Sequence, residues 1–145
     1  MTLIELLVVM GIIGLVVGIS LPALTTYTRQ VRLKTTIRQV IGLLSFTRSL
    51  AISSHTDHAV VLDPERAELR VVNVASGETL EQAVHLPTSV NVSVHIGGEP
   101  STETQIVFRA TGSLIGRTTS LIVADEHTHH TITVTGATGA VTLED

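Results

Sequence analysis

The chain has 145 residues, of which 43% are hydrophobic and 15% are charged, and it contains neither cysteine nor tryptophan. Plentiful aliphatic residues and few charges exclude an intrinsically disordered chain, and the absence of cysteine excludes a disulfide scaffold or a cysteine-ligated metal site. The net charge of −4 gives no reason to expect a general nucleic-acid binder. The length suits one domain with at most one appended element.

The two ends of the chain differ in charge. Residues 1–53 carry five basic side chains and one acidic side chain, whereas residues 54–145 carry four basic and twelve acidic ones, a net charge of −8. Glu5 is the single charged side chain before Arg29. The sequence therefore divides into an apolar N-terminal segment, a basic stem and an acidic, threonine-rich body.

The apolar segment runs from Met1 to Leu24. A helix of about 24 residues would be roughly 36 Å long, which is enough to cross the hydrocarbon core of a bilayer. A cleaved signal peptide is disfavoured because no basic residue precedes the apolar run. A buried helix of a soluble domain is disfavoured because the chain has too little core to enclose it. We therefore predict a transmembrane helix over residues 1–25.

Four residues of this segment are candidate site residues. A carboxylate near the end of a membrane helix is costly unless it is neutralised. Glu5 is therefore expected either to lie solvated at the interface or to pair with a cation, most simply the α-amino group of a neighbouring copy. Gly14 and Gly18 match the small-xxx-small spacing that lets membrane helices approach closely. Pro22 removes a backbone donor and is expected to kink the helix.

Residues 26–54 are predicted to continue this helix as an amphipathic stem, because apolar side chains recur at spacings of three, four and seven. The residues assigned to the apolar face are Leu24, Tyr27, Val31, Ile37, Val40, Ile41, Leu44 and Ala51. The basic side chains of the stem have two open interpretations. They contact lipid headgroups or acidic neighbours in a filament, or they form an ordinary solvated helix face.

Residues 55–145 are predicted to form a β-rich head, because the hydrophobic period changes from helical to two. Predicted strands cover residues 58–63, 68–74, 90–96, 105–109, 120–124, 131–135 and 140–143, with glycine- and proline-rich turns between them. Six to eight short strands of this kind indicate an antiparallel sandwich or curved sheet. The predicted fold class is α+β, with the long helix packed on the sheet.

Neither a metal site nor an enzyme is predicted. His127 and His129 could share one side of a strand near Asp125, but no clear third ligand follows, and the pair His55 and His58 has the same weakness. The segment 63–65 is too poor in carboxylates for calcium. Nucleotide-binding glycine motifs and a nucleophile elbow are both missing from the sequence, so no catalytic residue and no cofactor is expected.

The first nine residues, MTLIELLVV, followed by Pro22, resemble the mature N-terminus of type IV pilins and type II secretion pseudopilins. In that class the pattern is F-T-L-I-E, with glutamate at position 5 and often proline at position 22. Met1 replaces the usual phenylalanine, and the basic leader ending in glycine is missing from the sequence. Two interpretations stay open: Met1 is the mature N-terminus after leader removal, or it is a start codon placed there.

Three later segments resemble the GspH/FimT group in the same order along the chain. They are 46–52 (FTRSLAI), 106–108 with Gly112, and 132–134 with 139–141. The resemblance implies a minor pseudopilin of a type II secretion system, at the tip of a periplasmic pseudopilus that drives protein export. The alternative it leaves is a FimT-like minor type IV pilin in pilus assembly or DNA uptake.

The resemblance also implies processing, partners and location. A prepilin peptidase would cut before Met1 and methylate the new amine, and Glu5 would help recruit the subunit to the filament. Implied partners are the other minor pseudopilins, the major pseudopilin, the inner-membrane assembly platform and an exported protein. The implied location is a single pass in the bacterial inner membrane with a periplasmic head. DNA is disfavoured because Arg109 and Arg117 are the only basic residues after Arg70 and the C-terminal tail is acidic.

Overall fold

The computed structural model describes residues 2–144, with the side chains of residues 2–18 and 27–144. The chain forms two compact units, Met1–Arg32 and Leu33–Asp145. One helix, α1, is assigned over Leu3–Ser54, so both units contribute to it. The predicted continuous helix across the apolar segment and the stem is therefore present in the structure.

The second unit contains nine described strands, all paired in antiparallel fashion. Their bounds are β1 His58–Asp63, β2 Glu68–Asn73, β3 Thr79–His85, β4 Asn91–Ile96, β5 Glu99–Ser101, β6 Gln105–Phe108, β7 Thr119–Ala124, β8 His129–Val134 and β9 Val141–Glu144. They form two sheets, which we call sheet A (order β3-β2-β1-β6) and sheet B (order β5-β4-β7-β8-β9). The predicted α+β fold, a long helix with an antiparallel β-rich head, is confirmed.

The same type of side-chain-to-backbone hydrogen bond stabilises three of the turns between strands. Asp63 Oδ1 accepts hydrogen bonds from the backbone N–H groups two and three residues ahead, both at 3.1 Å. Asn73 Oδ1 does the same at 2.9 and 3.2 Å, and Asp125 Oδ1 at 2.9 and 2.8 Å. A short polar side chain that replaces a missing backbone acceptor stabilises a tight turn. The hairpins β1–β2, β2–β3 and β7–β8 therefore turn where the sequence places Asp or Asn.

The two sheets and the C-terminal half of α1 share one connected core. The helix contributes Leu33, Ile37, Val40, Leu43, Leu44 and Ala51, at helical spacings of three, four and seven. Thr47 lies fully buried on the same face, and its Oγ1 donates a 2.7 Å hydrogen bond to the Leu43 carbonyl one turn earlier. Phe108 is the one described aromatic side chain with no exposure, so the core is otherwise aliphatic.

The structure corrects the predicted apolar face of the stem. Tyr27 is 66% exposed and Val31 is 44% exposed, although both were assigned to that face. Leu33 and Thr36 are buried instead. Leu24 lies outside the described side chains. The buried face therefore begins at Leu33, because the core to which the helix contributes lies wholly within the second unit.

Two strands were not predicted, β3 and β5, and both lie at sheet edges. All but two residues of β3 are exposed, so its sequence shows no alternation of buried and exposed apolar positions. β5 contains Pro100, which an edge strand tolerates because one side of its backbone has no ladder to complete.

Candidate functional site

Residues 3–17 of α1 have an almost entirely apolar surface. Twelve large hydrophobic side chains between Leu3 and Val17 are exposed, from 49% at Val17 to 79% at Leu3. A soluble monomer seldom carries a continuous apolar surface of this extent, and such surfaces mark protein–protein or membrane contacts. This segment is therefore the first candidate functional surface of the chain.

Glu5, predicted above to pair with a cation, also caps the N-terminus of α1 near the start of this surface. Its Oε2 accepts a 2.9 Å hydrogen bond from the Thr2 backbone N–H, and the Glu5 N–H points back to Thr2 Oγ1 at 3.4 Å. This reciprocal pair is a capping box, in which two backbone donors at a helix N-terminus find side-chain acceptors. The carboxylate uses one oxygen, Oε2, for the cap.

The structure describes the surroundings of Gly14 and Gly18 but not the side chain of Pro22. A Cβ added at Gly14 or Gly18 would meet no other atom within 4 Å, so both positions are open to a neighbouring helix. Pro22 and Met1 lie outside the residues whose side chains are described, and their predicted roles stay predictions. Within the described part of the chain, no helix carries a stretch long and apolar enough to span a membrane.

The three segments that resemble the GspH/FimT group meet around one arginine. Arg48 on α1 donates from Nε to the Gly112 carbonyl at 3.1 Å. Gly112 ends a turn after β6, and its N–H donates to the Arg109 carbonyl at 2.7 Å. Gly139, in the turn between β8 and β9, lies against the Gly112 carbonyl and against Arg48 Nε. We call this contact of helix and two turns the Arg48 junction.

Gly139 is required by close approach as well as by its backbone angle, whereas Gly112 is required chiefly by its backbone angle. Gly139 has a φ of 65°, and a Cβ there would collide with the Gly112 carbonyl oxygen. Gly112 has a φ of 83°, and a Cβ there would lie 2.7 Å from Ile52 Cδ1. The motif positions are therefore explained by packing. They join a turn after sheet A and a turn within sheet B to the end of the helix.

A groove of about 460 Å³ lies between the β6 edge of sheet A and the β4–β7 end of sheet B. We call it the β6 groove. Its residues are Ile96, Glu103, Gln105, Ile106, Val107, Leu114, Ile115, Gly116, Arg117 and Thr119. No local sequence pattern predicts this groove, because its walls come from segments that are distant in the chain.

The histidines do not converge on a metal site. No group of three or more metal-ligating side chains occurs among residues 2–144. His127 lies in the turn closed by Asp125, and the hydrogen bonds from the His127 and Thr128 N–H groups hold the pKa of the Asp125 carboxyl below its usual value. The environment of this carboxylate is therefore explained by the turn itself.

The two arginines considered for DNA binding lie at opposite ends of one strand. Arg109 directly follows β6, whereas Arg117 lines the β6 groove beside Gln105, where β6 begins. Four residues of extended strand separate those ends by roughly 13 Å. The two arginines are therefore attached near different ends of β6.

Solved structures give the comparison that decides the fold. The crystal structure of the type IV minor pilin FimU from Pseudomonas aeruginosa aligns with a TM-score of 0.67 at 15% identity, covering 82% of this chain and 92% of that one. The minor pseudopilin EpsH from the type II secretion system of Vibrio cholerae aligns at 0.64 and 12%, covering 78% and 95%. The chain has the pilin-like fold.

At these identities the likeness concerns the fold, which covers most of both chains. A second structure of EpsH aligns with a TM-score of 0.60 at 15% identity. No protein-family profile and no curated protein matches the chain. The resemblance to pilins and pseudopilins seen in the first residues is thus confirmed at the level of the pilin-like fold.

Proposed function

We propose that this pilin-like chain is a structural subunit of a filament that is assembled from the bacterial inner membrane. The observation that carries the proposal is the exposed apolar helix surface of residues 3–17, in which Glu5 is the single carboxylate. A large apolar side chain gains about 1.5–3 kcal/mol on full burial. Twelve such side chains provide a strong drive to pack against the same surface of neighbouring subunits.

The Glu5 carboxylate determines how far each N-terminal helix is shifted along its neighbour. Desolvating Glu5 between apolar helices is costly unless a cation neutralises it. A neighbouring subunit offers such a cation in its N-terminal amine. Glu5 therefore favours a staggered arrangement in which each carboxylate reaches the terminus of another copy or of a sibling subunit. The open positions Gly14 and Gly18 allow close approach of the helices.

Among filament systems we favour a type II secretion pseudopilus, with this chain as a GspH-like minor subunit near its tip. The neighbours would be the other minor pseudopilins and the major pseudopilin, and the exported protein would meet the acidic head. Before assembly, residues 1–25 would hold the subunit in the membrane after prepilin peptidase has prepared Met1. The role is structural, with no catalytic step assigned to the chain.

The second candidate is a FimT-like minor pilin in pilus assembly or DNA uptake, and the similarity to FimU favours keeping it. DNA capture needs several basic side chains on one surface to neutralise phosphates. The net charge of −8 in residues 54–145 and the separated arginines argue against that role. A mobility-shift assay with the full chain in nonionic detergent at low salt distinguishes the two. DNA binding that Arg109→Gln or Arg117→Gln abolishes would reverse our preference.

The test of filament incorporation separates the charge of Glu5 from its capping role. Glu5→Gln keeps an acceptor for the Thr2 N–H and removes the charge, whereas Thr2→Ala removes the hydroxyl and keeps the charge. We expect Glu5→Gln to be lost from the filament subunits that co-purify after crosslinking in the producing bacterium. Thr2→Ala, the matched control, should be affected much less. Equal incorporation of Glu5→Gln and the unaltered chain would contradict the proposal.

A further inference from the structure

β6 is an outer strand of sheet A, and part of its outward edge has no backbone partner. The bond from Leu62 N–H to the Thr104 carbonyl at 2.6 Å, with the β1–β6 register, shows that the even-numbered residues of β6 face β1. In an antiparallel pair the alternate residues then point away from that neighbour. Gln105 and Val107 therefore present their N–H and carbonyl groups to the outside.

Residues 113–115, which we call the return segment, run back along β6 and cover only the C-terminal part of its outward edge. The Arg109 N–H donates to the Ser113 carbonyl at 2.8 Å, and the Ile115 N–H donates to the Val107 carbonyl at 2.8 Å. The chain then turns away at Gly116, where φ is 114°. Within the described residues, the Val107 N–H and both backbone groups of Gln105 are left without a partner.

The β6 groove lies along this uncovered part of the edge, in line with the return segment. Apolar side chains line it, among them Ile96, Leu114 and Ile115, the last of which is 48% exposed. Arg117 lies at the groove, and its guanidinium makes no ion pair in the part of the chain that the structure describes. The groove thus offers apolar contacts, a donor–acceptor–donor row of backbone groups, and one cation, Arg117, with one carboxylate, Glu103, also in its lining.

We propose that the β6 groove binds an extended strand of a partner protein, which adds to sheet A along Gln105–Val107 and places an acidic side chain against Arg117. A β-strand is the ligand that matches this row, because its backbone groups repeat along one edge and its alternate side chains can be apolar. This inference goes beyond the filament role. Strand addition at β6 would hold or fail whatever the helix surface does.

The test uses the full chain in nonionic detergent and a fluorescein-labelled, end-blocked heptapeptide, Ser-Val-Thr-Val-Glu-Val-Ser. Two further peptides carry N-methyl groups at the odd or at the even residues, so that each removes the N–H groups along one edge only. We expect the parent peptide to bind in fluorescence anisotropy. One methylated peptide should bind at least tenfold more weakly, while the other keeps its affinity. No binding up to about 1 mM, or equal loss with both peptides, would overturn the proposal.

Substitutions in the chain test the same geometry from the other side. Val107→Pro removes the outward N–H of Val107, and we expect it to bind the peptide at least tenfold more weakly than Val107→Ala, which shortens the side chain but keeps that N–H. Arg117→Glu should lose the peptide and recover binding when lysine replaces the peptide's glutamate. The charge exchange keeps the test decisive if Val107→Pro does not fold. Binding that none of these changes alters would refute strand addition.

Discussion

Replacing Gly139 by alanine tests the Arg48 junction most sharply. The added methyl group meets two obstacles at once. The backbone at Gly139 has a φ of 65°, which a residue with a Cβ adopts at a cost, and the Cβ would overlap the Gly112 carbonyl oxygen. That oxygen cannot move away freely, because it accepts the 3.1 Å hydrogen bond from Arg48 Nε. Relief of the overlap therefore requires the two turns to separate.

The expected loss in stability of Gly139→Ala has two contributions, one from the backbone angle and one from the steric overlap. A left-handed backbone costs a residue with a Cβ about 1–2 kcal/mol, and overpacking against fixed atoms adds about 1–3 kcal/mol. The expected loss in the free energy of unfolding is therefore about 2–5 kcal/mol. Gly77 provides the control, since its φ is 70° but an added Cβ would meet nothing within 4 Å. Gly77→Ala should show the backbone term alone.

The assay is thermal unfolding of the full chain in nonionic detergent, followed by far-ultraviolet circular dichroism. A loss of 1 kcal/mol lowers the midpoint of a domain of this size by about 3–4 °C. Gly139→Ala should therefore unfold clearly below Gly77→Ala, which in turn lies below the unaltered chain. Equal midpoints for the two variants would contradict the close contact between the turns that contain Gly112 and Gly139.

Two further predictions concern single side chains. Arg48→Met keeps most of the aliphatic stem but leaves the Gly112 carbonyl without its donor, so we expect a loss of about 1–3 kcal/mol in the same thermal assay; no loss would show that the bond is unimportant. Asp125 has a pKa below its ordinary value of 3.8, because its carboxylate accepts backbone bonds from His127 and Thr128. Its contribution to stability is therefore complete above that value and is lost as pH falls through the lowered pKa. Amide exchange at Thr128 should accelerate over that acidic range relative to neighbouring amides, and Asp125→Asn should remove the extra acceleration.

Much of the fold was predictable because local patterns agree with it. The period of two, with Asp63 and Asn73 at the strand ends, is enough to locate β1 and β2, and the structure pairs them directly. The buried helix face was predicted less well. Thr36 and Thr47 are polar in sequence yet buried, and Thr47 satisfies its hydroxyl within the helix. A polar residue with an internal partner carries no sequence signal of burial.

The candidate sites, like the fold, were predictable from the sequence only in part. The Thr2–Glu5 capping box has a readable signature, a threonine followed three residues later by glutamate. Arg48, Gly112 and Gly139 were visible only as separate motif positions, because their contact depends on how the turns fold back onto the helix. The β6 groove depends on two sheets meeting, which no local pattern records.

The central claim, that the apolar helix surface packs against neighbouring subunits, can be measured by site-specific photo-crosslinking in the producing bacterium. Benzoylphenylalanine replaces Val9 on the exposed helix surface or, as a control, Ser76 in the β2–β3 turn. We predict that the Val9 position forms adducts with pilin-sized proteins, that these adducts disappear when Glu5→Gln is introduced, and that Ser76 forms far fewer. Adducts at Val9 that are absent, or that persist unchanged with Glu5→Gln, would contradict the account.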